Sequence, residues 1–238
     1  DLVTGVQTCA LPIYPAFGGN DNSVKCWGTQ LNGRLGNGTT SSTSSVPTDV
    51  IDPTYQTWAL QGVKTVQSGD TFSCAIVHDT VAPFGFSTNK DIVACWGKNN
   101  FGQLGNGLMD VDSDIPVKVL IATPDTYLAD VISLSVGNGH ACAVTSPNGE
   151  VYCWGRGTNH QLGNGAALNS ALATKVKRDN TPTYLQNVHA VAAGTLHTCA
   201  LVVEGGPLTR QVHCWGDDTW GALGDGTKGG PTTEADRK

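Results

Sequence analysis

The sequence predicts an all-β protein, a β-propeller built from blades of four antiparallel strands, and three observations carry that expectation. A block of the form Cys-Trp-Gly, followed after a polar loop by Leu-Gly-Asn-Gly or Leu-Gly-Asp-Gly, occurs four times, beginning at Cys26, Cys95, Cys153 and Cys214. A second block ending in Cys-Ala precedes the last three, as Ser68–Ala75, Val136–Ala143 and Ala193–Ala200. The strands these blocks define are apolar on both faces, so each sheet must be covered twice, and small sheets stacked around an axis meet that demand.

Within a repeat, each element follows from local chemistry. Lys64–Gln67, Val131–Leu134 and Val188–Val191 give a first strand. The Cys-Ala block gives a second and the Cys-Trp-Gly block a third, joined by Pro147-Asn148-Gly149 in one copy, Gly205-Gly206-Pro207 in another, and a longer insert through Pro83, Gly85 and Asn89. The alternation of Val151 and Cys153 with Tyr152 and Trp154 makes the third strand apolar on both sides. From the Gly of Cys-Trp-Gly to the last Gly of the turn is always 10 residues, whereas successive blocks lie 69, 58 and 61 apart. A constant inner spacing marks a turn of set geometry, and a variable outer one marks loops that accept insertions. Gly36, Gly105, Gly163 and Gly224 stand at one position of that turn. His160 replaces a Gly of the other three copies, so that position tolerates a side chain. A fourth strand follows at Val46–Val50, Ile115–Val119 and Thr174–Val176, and its Pro47 and Pro116 suit a sheet edge.

Bulk properties exclude several classes. Net charge is −6 with pI near 5.4 and no basic run, which leaves no footprint for nucleic acid or an anionic bilayer. No apolar run is long enough for a spanning helix, so membrane insertion is not expected. Val3–Ile13 resembles the translation of a sequencing adapter, which would make residues 1–13 an artefactual or disordered leader. Against this, Thr8-Cys9-Ala10-Leu11 matches Thr198-Cys199-Ala200-Leu201.

The pairing of a Gly-x-x-His-x-Cys-Ala strand, as in Gly137–Ala143, with Cys-Trp-Gly and Gly-Gln-Leu-Gly-Asn-Gly, as in Gly102–Gly107, resembles the regulator of chromosome condensation repeat. The resemblance covers about residues 14–238, with departures at Phe72, His160 and Asp225. It implies blades of a seven-bladed propeller, of which this chain would hold an incomplete arc of about 3.5. Units are expected at about 14–45, 46–112, 113–170 and 171–230, with 231–238 the truncated start of another, and with missing blades of the same chain as one partner.

Eight cysteines sit at regular places. Cys74 with Cys95, Cys142 with Cys153, and Cys199 with Cys214 occupy the two arms of one hairpin. A turn centred on Pro147-Asn148 sets Cys142 opposite Cys153, at about 4.5 Å between Cα atoms, within reach of a disulfide, whereas Asn148-Gly149 makes them diagonal. Intra-blade disulfides lead the reading, ahead of free buried thiols and of zinc, for which no Cys-x-x-Cys is present. Cys26 would then pair with Cys9 or with a residue outside the chain. Bridges imply an oxidising compartment: secreted, periplasmic or cell-surface.

No catalytic, cofactor or metal residue is assigned. His140 and His197 hold one repeated position and are read as structural, because an active site seldom recurs in every blade. Trp27, Trp96, Trp154 and Trp215 are read as packing between blades. Asp110, Asp112 and Asp114 have alternate spacing, but Ile115 and Ile121 stand where a calcium loop needs Gly and Glu. The function expected is a non-catalytic scaffold, not an enzyme, binding a protein partner of unknown identity outside the cytoplasm through the long connections Thr39–Trp58, Thr80–Lys90, Leu108–Tyr127 and Ala166–Tyr184. Similar bacterial propellers include an inhibitor of secreted β-lactamase, so an inhibitor-like role is one form of this. The family's namesake implies guanine-nucleotide exchange on a small GTPase as an alternative, and a cell-surface adhesive module is a third.

Overall fold

A computed structural model describes residues 7–10, 23–40, 43–54, 56, 58–79, 89–122, 124, 126–178, 182–204, 209–229 and 232–237. The turn at Gly205-Gly206-Pro207, Pro83 and Gly85, and all of the leader except Gln7–Ala10 lie outside the described residues. The described chain forms four antiparallel sheets. The first comprises β1 (Gln7–Ala10), β2 (Lys25–Gly28) and β3 (Ser44–Asp49). The second comprises β4 (Val63–Ser68), β5 (Phe72–His78), β6 (Asp91–Gly97) and β7 (Ser113–Lys118). A small ribbon of β8 (Leu120–Ala122) and β9 (Thr126–Tyr127) follows. The third sheet holds β10 (Val131–Val136), β11 (His140–Thr145), β12 (Glu150–Gly155) and β13 (Ser170–Lys175). The fourth holds β14 (Val188–Ala193), β15 (His197–Val203), β16 (Arg210–Gly216) and β17 (Thr232–Arg237). Among the described residues the only helical element is a 3-10 turn at Leu31–Gly33.

Strands follow one another across each sheet, so every sheet is a meander. The sheets run 63–118, 131–175 and 188–237, which differs from the unit boundaries expected at 46, 113 and 171. The strand after each glycine turn pairs back onto the Cys-Trp-Gly strand before it, as Cys95 with Val117 and Cys153 with Thr174. In the same way Thr232–Arg237 is not the start of another repeat but the fourth strand of the last sheet, with Cys214 opposite Asp236. The short turn leaves the chain beside its own hairpin, and the nearest open edge is the one it has just left. The stretch Gln7–Ala10 likewise pairs with β2, Cys9 opposite Cys26.

Opposite each Cys-Trp-Gly the fourth strand bulges. Register against the fourth strand slips between Cys26 and Gly28, Cys95 and Gly97, Cys153 and Gly155, and Cys214 and Gly216. The extra residues lie on the fourth strand, where three stand opposite the single Trp, and the Gly after that Trp takes φ of 109° at Gly97 and 96° at Gly155. A Cβ on Gly97 would also lie 2.7 Å from the Thr71 carbonyl, so both conformation and space demand glycine.

Three apolar cores lie between successive sheets. Val24, Cys26, Leu35 and Val50 of the first meet Ala75, Val77, Ile92 and Trp96 of the second. The opposite face of the second, with Phe72, Cys74, Ile76 and Cys95, meets Ala141, Ala143 and Trp154 of the third. Cys142, Val144, Val151 and Cys153 then meet Ala200, Val202 and Trp215 of the fourth. Period-two alternation explains this sharing: neighbours on one strand serve different cores. The cysteines of a sheet share a core with the tryptophan of the next.

Candidate interaction surface

Strand pairing defines two ends of the stack. Phe72 opposite Gly97 and Gly97 opposite Ser113 bring residues 69–71 and 98–112 to one end, with 137–139, 156–169, 194–196 and 217–229 beside them. The opposite end gathers the connections after β5, β7, β11, β13 and β15.

At the glycine-turn end each sheet locks onto the next. A Cβ on Gly105 would lie 3.0 Å from Trp154 Cδ1, and one on Gly163 would lie 2.7 Å from Trp215 Nε1. Gly36 stands in the same way against Trp96, with 2.9 Å to its Cδ1. The indole N–H of Trp154 donates to the Gln103 carbonyl at 3.0 Å and that of Trp215 to the Gln161 carbonyl at 2.9 Å. Trp96 Nε1 is buried with no such acceptor. Among the described residues, a Cβ added at Gly224 would meet nothing within 4 Å, and no indole stands against that turn.

His140 joins this interlock. Thr198 donates its hydroxyl to the Gln161 carbonyl at 2.9 Å, so the His140 Nε2 at 2.8 Å must be the donor to Thr198 Oγ1. The network therefore assigns the neutral Nε2–H tautomer. Burial first, then the nearby His197 and Arg156 charges, push the His140 pKa down to about 3. Phe72 takes the His position one sheet earlier, and Ala141 stands there at the Thr198 position, in the same core as Phe72. Both partners change together.

Polar contacts tie the rim. Asp112 accepts the Asn99 N–H at 2.8 Å and the Asn32 amide at 2.6 Å, so it joins the first and second sheets. Neither Asp110 nor Asp114 joins it in a metal-sized cluster among the described residues. Asn138 donates to Asp70 at 3.4 Å, and Asn159 to Asp217 at 2.9 Å. Hydrogen bonds from Thr219, with a smaller one from Asn159, hold Asp217 below its ordinary pKa. Arg156 lies over Phe101 at 5.3 Å. Between these ties, every sheet presents at least one exposed apolar side chain at this end: Leu31, then Leu108, Met109 and Val111, then Leu168, then Trp220 at 86% exposure.

All eight cysteines are bonded: Cys9–Cys26, Cys74–Cys95, Cys142–Cys153 and Cys199–Cys214, with Cα separations of 4.1, 4.0, 4.1 and 4.1 Å. Cys142 is directly opposite Cys153, as a turn centred on Pro147-Asn148 requires. Trp96, Trp154 and Trp215 are fully buried, whereas Trp27 is only partly so. His197 is partly buried.

On the outer side of the Gly163–Gly165 turn lies a cleft of about 500 Å³ that sequence reasoning did not single out. It is lined by Ile121 of β8, Tyr152 of β12, Ala173, Thr174 and Lys175 of β13, and by Asn164, Lys177 and Tyr184. Lys175 pairs with Glu150 at 2.9 Å and sits 5.6 Å and 5.3 Å from the Tyr152 and Tyr184 rings. The bond to Glu150 raises the Lys175 pKa, and burial raises that of Tyr152.

The recurring hairpin, bulge and glycine turn agree with comparison to known proteins. The family model of the regulator of chromosome condensation (RCC1) repeat matches residues 93–144 and 148–201, and a second model of the same repeat matches 131–161. These repeats belong to the RCC1 family. The chain is 31% identical over 207 residues to the human E3 ubiquitin-protein ligase HERC2, covering 84% of this chain and 4% of HERC2. It is 32% identical over 206 residues to the ultraviolet-B receptor UVR8 of Arabidopsis thaliana, covering 86% of this chain and 40% of UVR8. Yeast RCC1 (Prp20), solved bound to Kap60, superposes with a TM-score of 0.63 at 23% identity over 90% of this chain and 44% of that one. Human WBSCR16 gives 0.64 at 19%, over 92% and 48%. These structures share the propeller fold, and the chain spans less than half the length of each relative it matches here. The matched residues 93–201 carry both a cysteine-bearing hairpin, Cys142–Cys153, and the interlock of Gly105 with Trp154.

Proposed function

We propose that this RCC1-type propeller is a non-catalytic protein–protein interaction scaffold that works outside the cytoplasm and engages its partner through the glycine-turn end. One observation carries the reading: at that end an exposed apolar side chain stands on each of the four sheets, including Leu31 at 61%, Leu168 at 69% and Trp220 at 86%. Large exposed aromatic and aliphatic groups held on rigid turns are the usual anchors of a protein interface. The ties of the first three turns to the next sheet lower the ordering cost of binding. Four disulfides support an oxidising compartment. Guanine-nucleotide exchange is left without a supporting residue, since the likeness to yeast RCC1 at 23% identity bears on fold alone.

The test compares protein partners captured from extracellular or periplasmic extract by the wild type, by Leu168→Asp/Trp220→Asp, and by Ile132→Asp at the opposite end. A partner lost only with the first variant supports the reading. Retention by that variant, or equal loss with both, overturns it.

A further inference from the structure

The cleft beside β13 has a feature that the repeat does not require. After its fourth strand each of the first three sheets makes a cross-strand pair: Ile51 with Ala59, Leu120 with Tyr127, and Lys177 with Tyr184. Apolar residues serve at the first two Lys177 positions, so the scaffold has no need of a cation there. Lys177 is exposed, has no carboxylate partner among the described residues, and is fixed by its N–H bond to the Gly163 carbonyl at 2.9 Å. Its neighbour Lys175 is already occupied by Glu150 at 2.9 Å.

From this we infer that the cleft between β8 and β13 is a docking site for an extended acidic segment of a protein partner, its carboxylate held by Lys177. Charge is the first argument. The lining contains two lysines and no Asp or Glu, on a chain whose net charge is −6. Shape is the second. Ala173, Thr174 and Lys175 are consecutive residues of a strand, whose side chains alternate between faces, yet all three line the cleft. The cleft must therefore run along the strand's edge. β13 is the outermost strand of its sheet; its Ala171 carbonyl already accepts the Gly107 N–H at 2.9 Å, so an extended peptide can add along the Ala173–Lys175 part of that edge, which favours a peptide over an acidic sugar. Ile121 and Ala173 offer apolar contact for a residue flanking the carboxylate, and Tyr152 and Tyr184 stand around Lys175 as side walls.

The inference rests on the scaffold reading, but it concerns a surface whose lining includes neither Leu168 nor Trp220, and it fails separately. The test is fluorescence anisotropy on the full chain with a labelled peptide alternating Glu and Val, its Lys-for-Glu counterpart, and an oligomer of glucuronic acid. The acidic peptide should bind in a salt-sensitive way. Lys177→Glu should weaken it about tenfold or more, roughly 1.4 kcal/mol, and Lys177→Gln by less. Lys228→Glu, a charge reversal in the glycine-turn loop after β16, should change it less than about twofold. Unchanged thermal melts for the Lys177 variants exclude misfolding as the cause. Equal binding of both peptides, preference for the acidic sugar, no binding, or indifference to Lys177→Glu would overturn the inference. Loss on Leu168→Asp/Trp220→Asp instead would overturn it while leaving the scaffold reading intact.

Discussion

At the scale of single residues, His140 shows how a neutral imidazole becomes part of a propeller's interior. Its Nε2–H is used by Thr198, whose hydroxyl is in turn used by the Gln161 carbonyl that also receives Trp215. A proton added to this ring would be buried without a counter-charge, which is why its pKa falls from 6.5 to about 3. Because the folded value lies below the unfolded one, the unfolded chain takes up the proton first. Stability from this group is complete above about pH 6.5 and declines by up to ~1.4 kcal/mol per pH unit as the pH drops toward 3. Urea denaturation across that range should reveal the slope, and His140→Phe/Thr198→Ala, which recreates the Phe72 and Ala141 pair, should flatten it. Thr198→Ala alone should cost about 1–3 kcal/mol, because it leaves the His140 donor buried and unpaired. The double variant should recover part of that loss, since residues in one network are coupled. An additive double variant would count against the relay.

At the scale of elements, the glycine turn and the Cys-Trp-Gly strand of the next sheet act as two halves of a joint between sheets. Gly163 and Gly224 share a left-handed backbone, φ 61° and 72°, but only Gly163 has an indole against it. Gly163→Ala and Gly224→Ala therefore carry similar conformational strain and differ in the steric contact. We expect Gly163→Ala to be the more destabilising by about 1–3 kcal/mol, as read from denaturation midpoints, and equal losses would deny the joint. His160 illustrates the complementary case. It holds the positive-φ position that is Gly33, Gly102 and Gly221 elsewhere, at φ 60°, as its chemistry allowed. The hairpins and the edge position of the Pro47 and Pro116 strands were legible, because turn residues and period-two alternation act over a few residues, whereas the register was not, since two turn placements fit Pro147-Asn148-Gly149 and only the structure sets Cys142 opposite Cys153. The assignment of each fourth strand was not. Whether Ser113–Lys118 closes the sheet behind it or opens the one ahead depends on which edge is free, and no local pattern encodes that.

At the scale of the whole molecule, the disulfides fasten hairpins while packing fastens sheets. Closing loops of 11 to 21 residues contributes about 3 kcal/mol each in the chain-entropy treatment. Reduction should therefore lower the unfolding midpoint strongly, and labelling of the denatured, unreduced chain should find no free thiol among the eight cysteines. Six or more reactive thiols would reverse the compartment assignment. Of the candidate surfaces, the interlocking tryptophans and histidines could be named from their recurrence. The cleft at Lys177 could not, because Ile121, Tyr152 and Tyr184 come together only when one sheet's extension meets the next sheet's edge. A signal was present in hindsight: a lone lysine where the other repeats have Ile51 and Leu120.

The sequence alone determined what lies within one repeat: the hairpin, the glycine turn, and cysteines on opposite arms. These depend on backbone conformations and pairings over at most about twenty residues, and the order of residues records them directly. Only the tertiary structure decided what passes between repeats: which sheet takes each outer strand, which carbonyl receives Trp215, and which lysine of the cleft already has its carboxylate. Those outcomes arise from contacts between distant parts of the chain, where closeness in space is set by the stacking of sheets and not by spacing along the sequence.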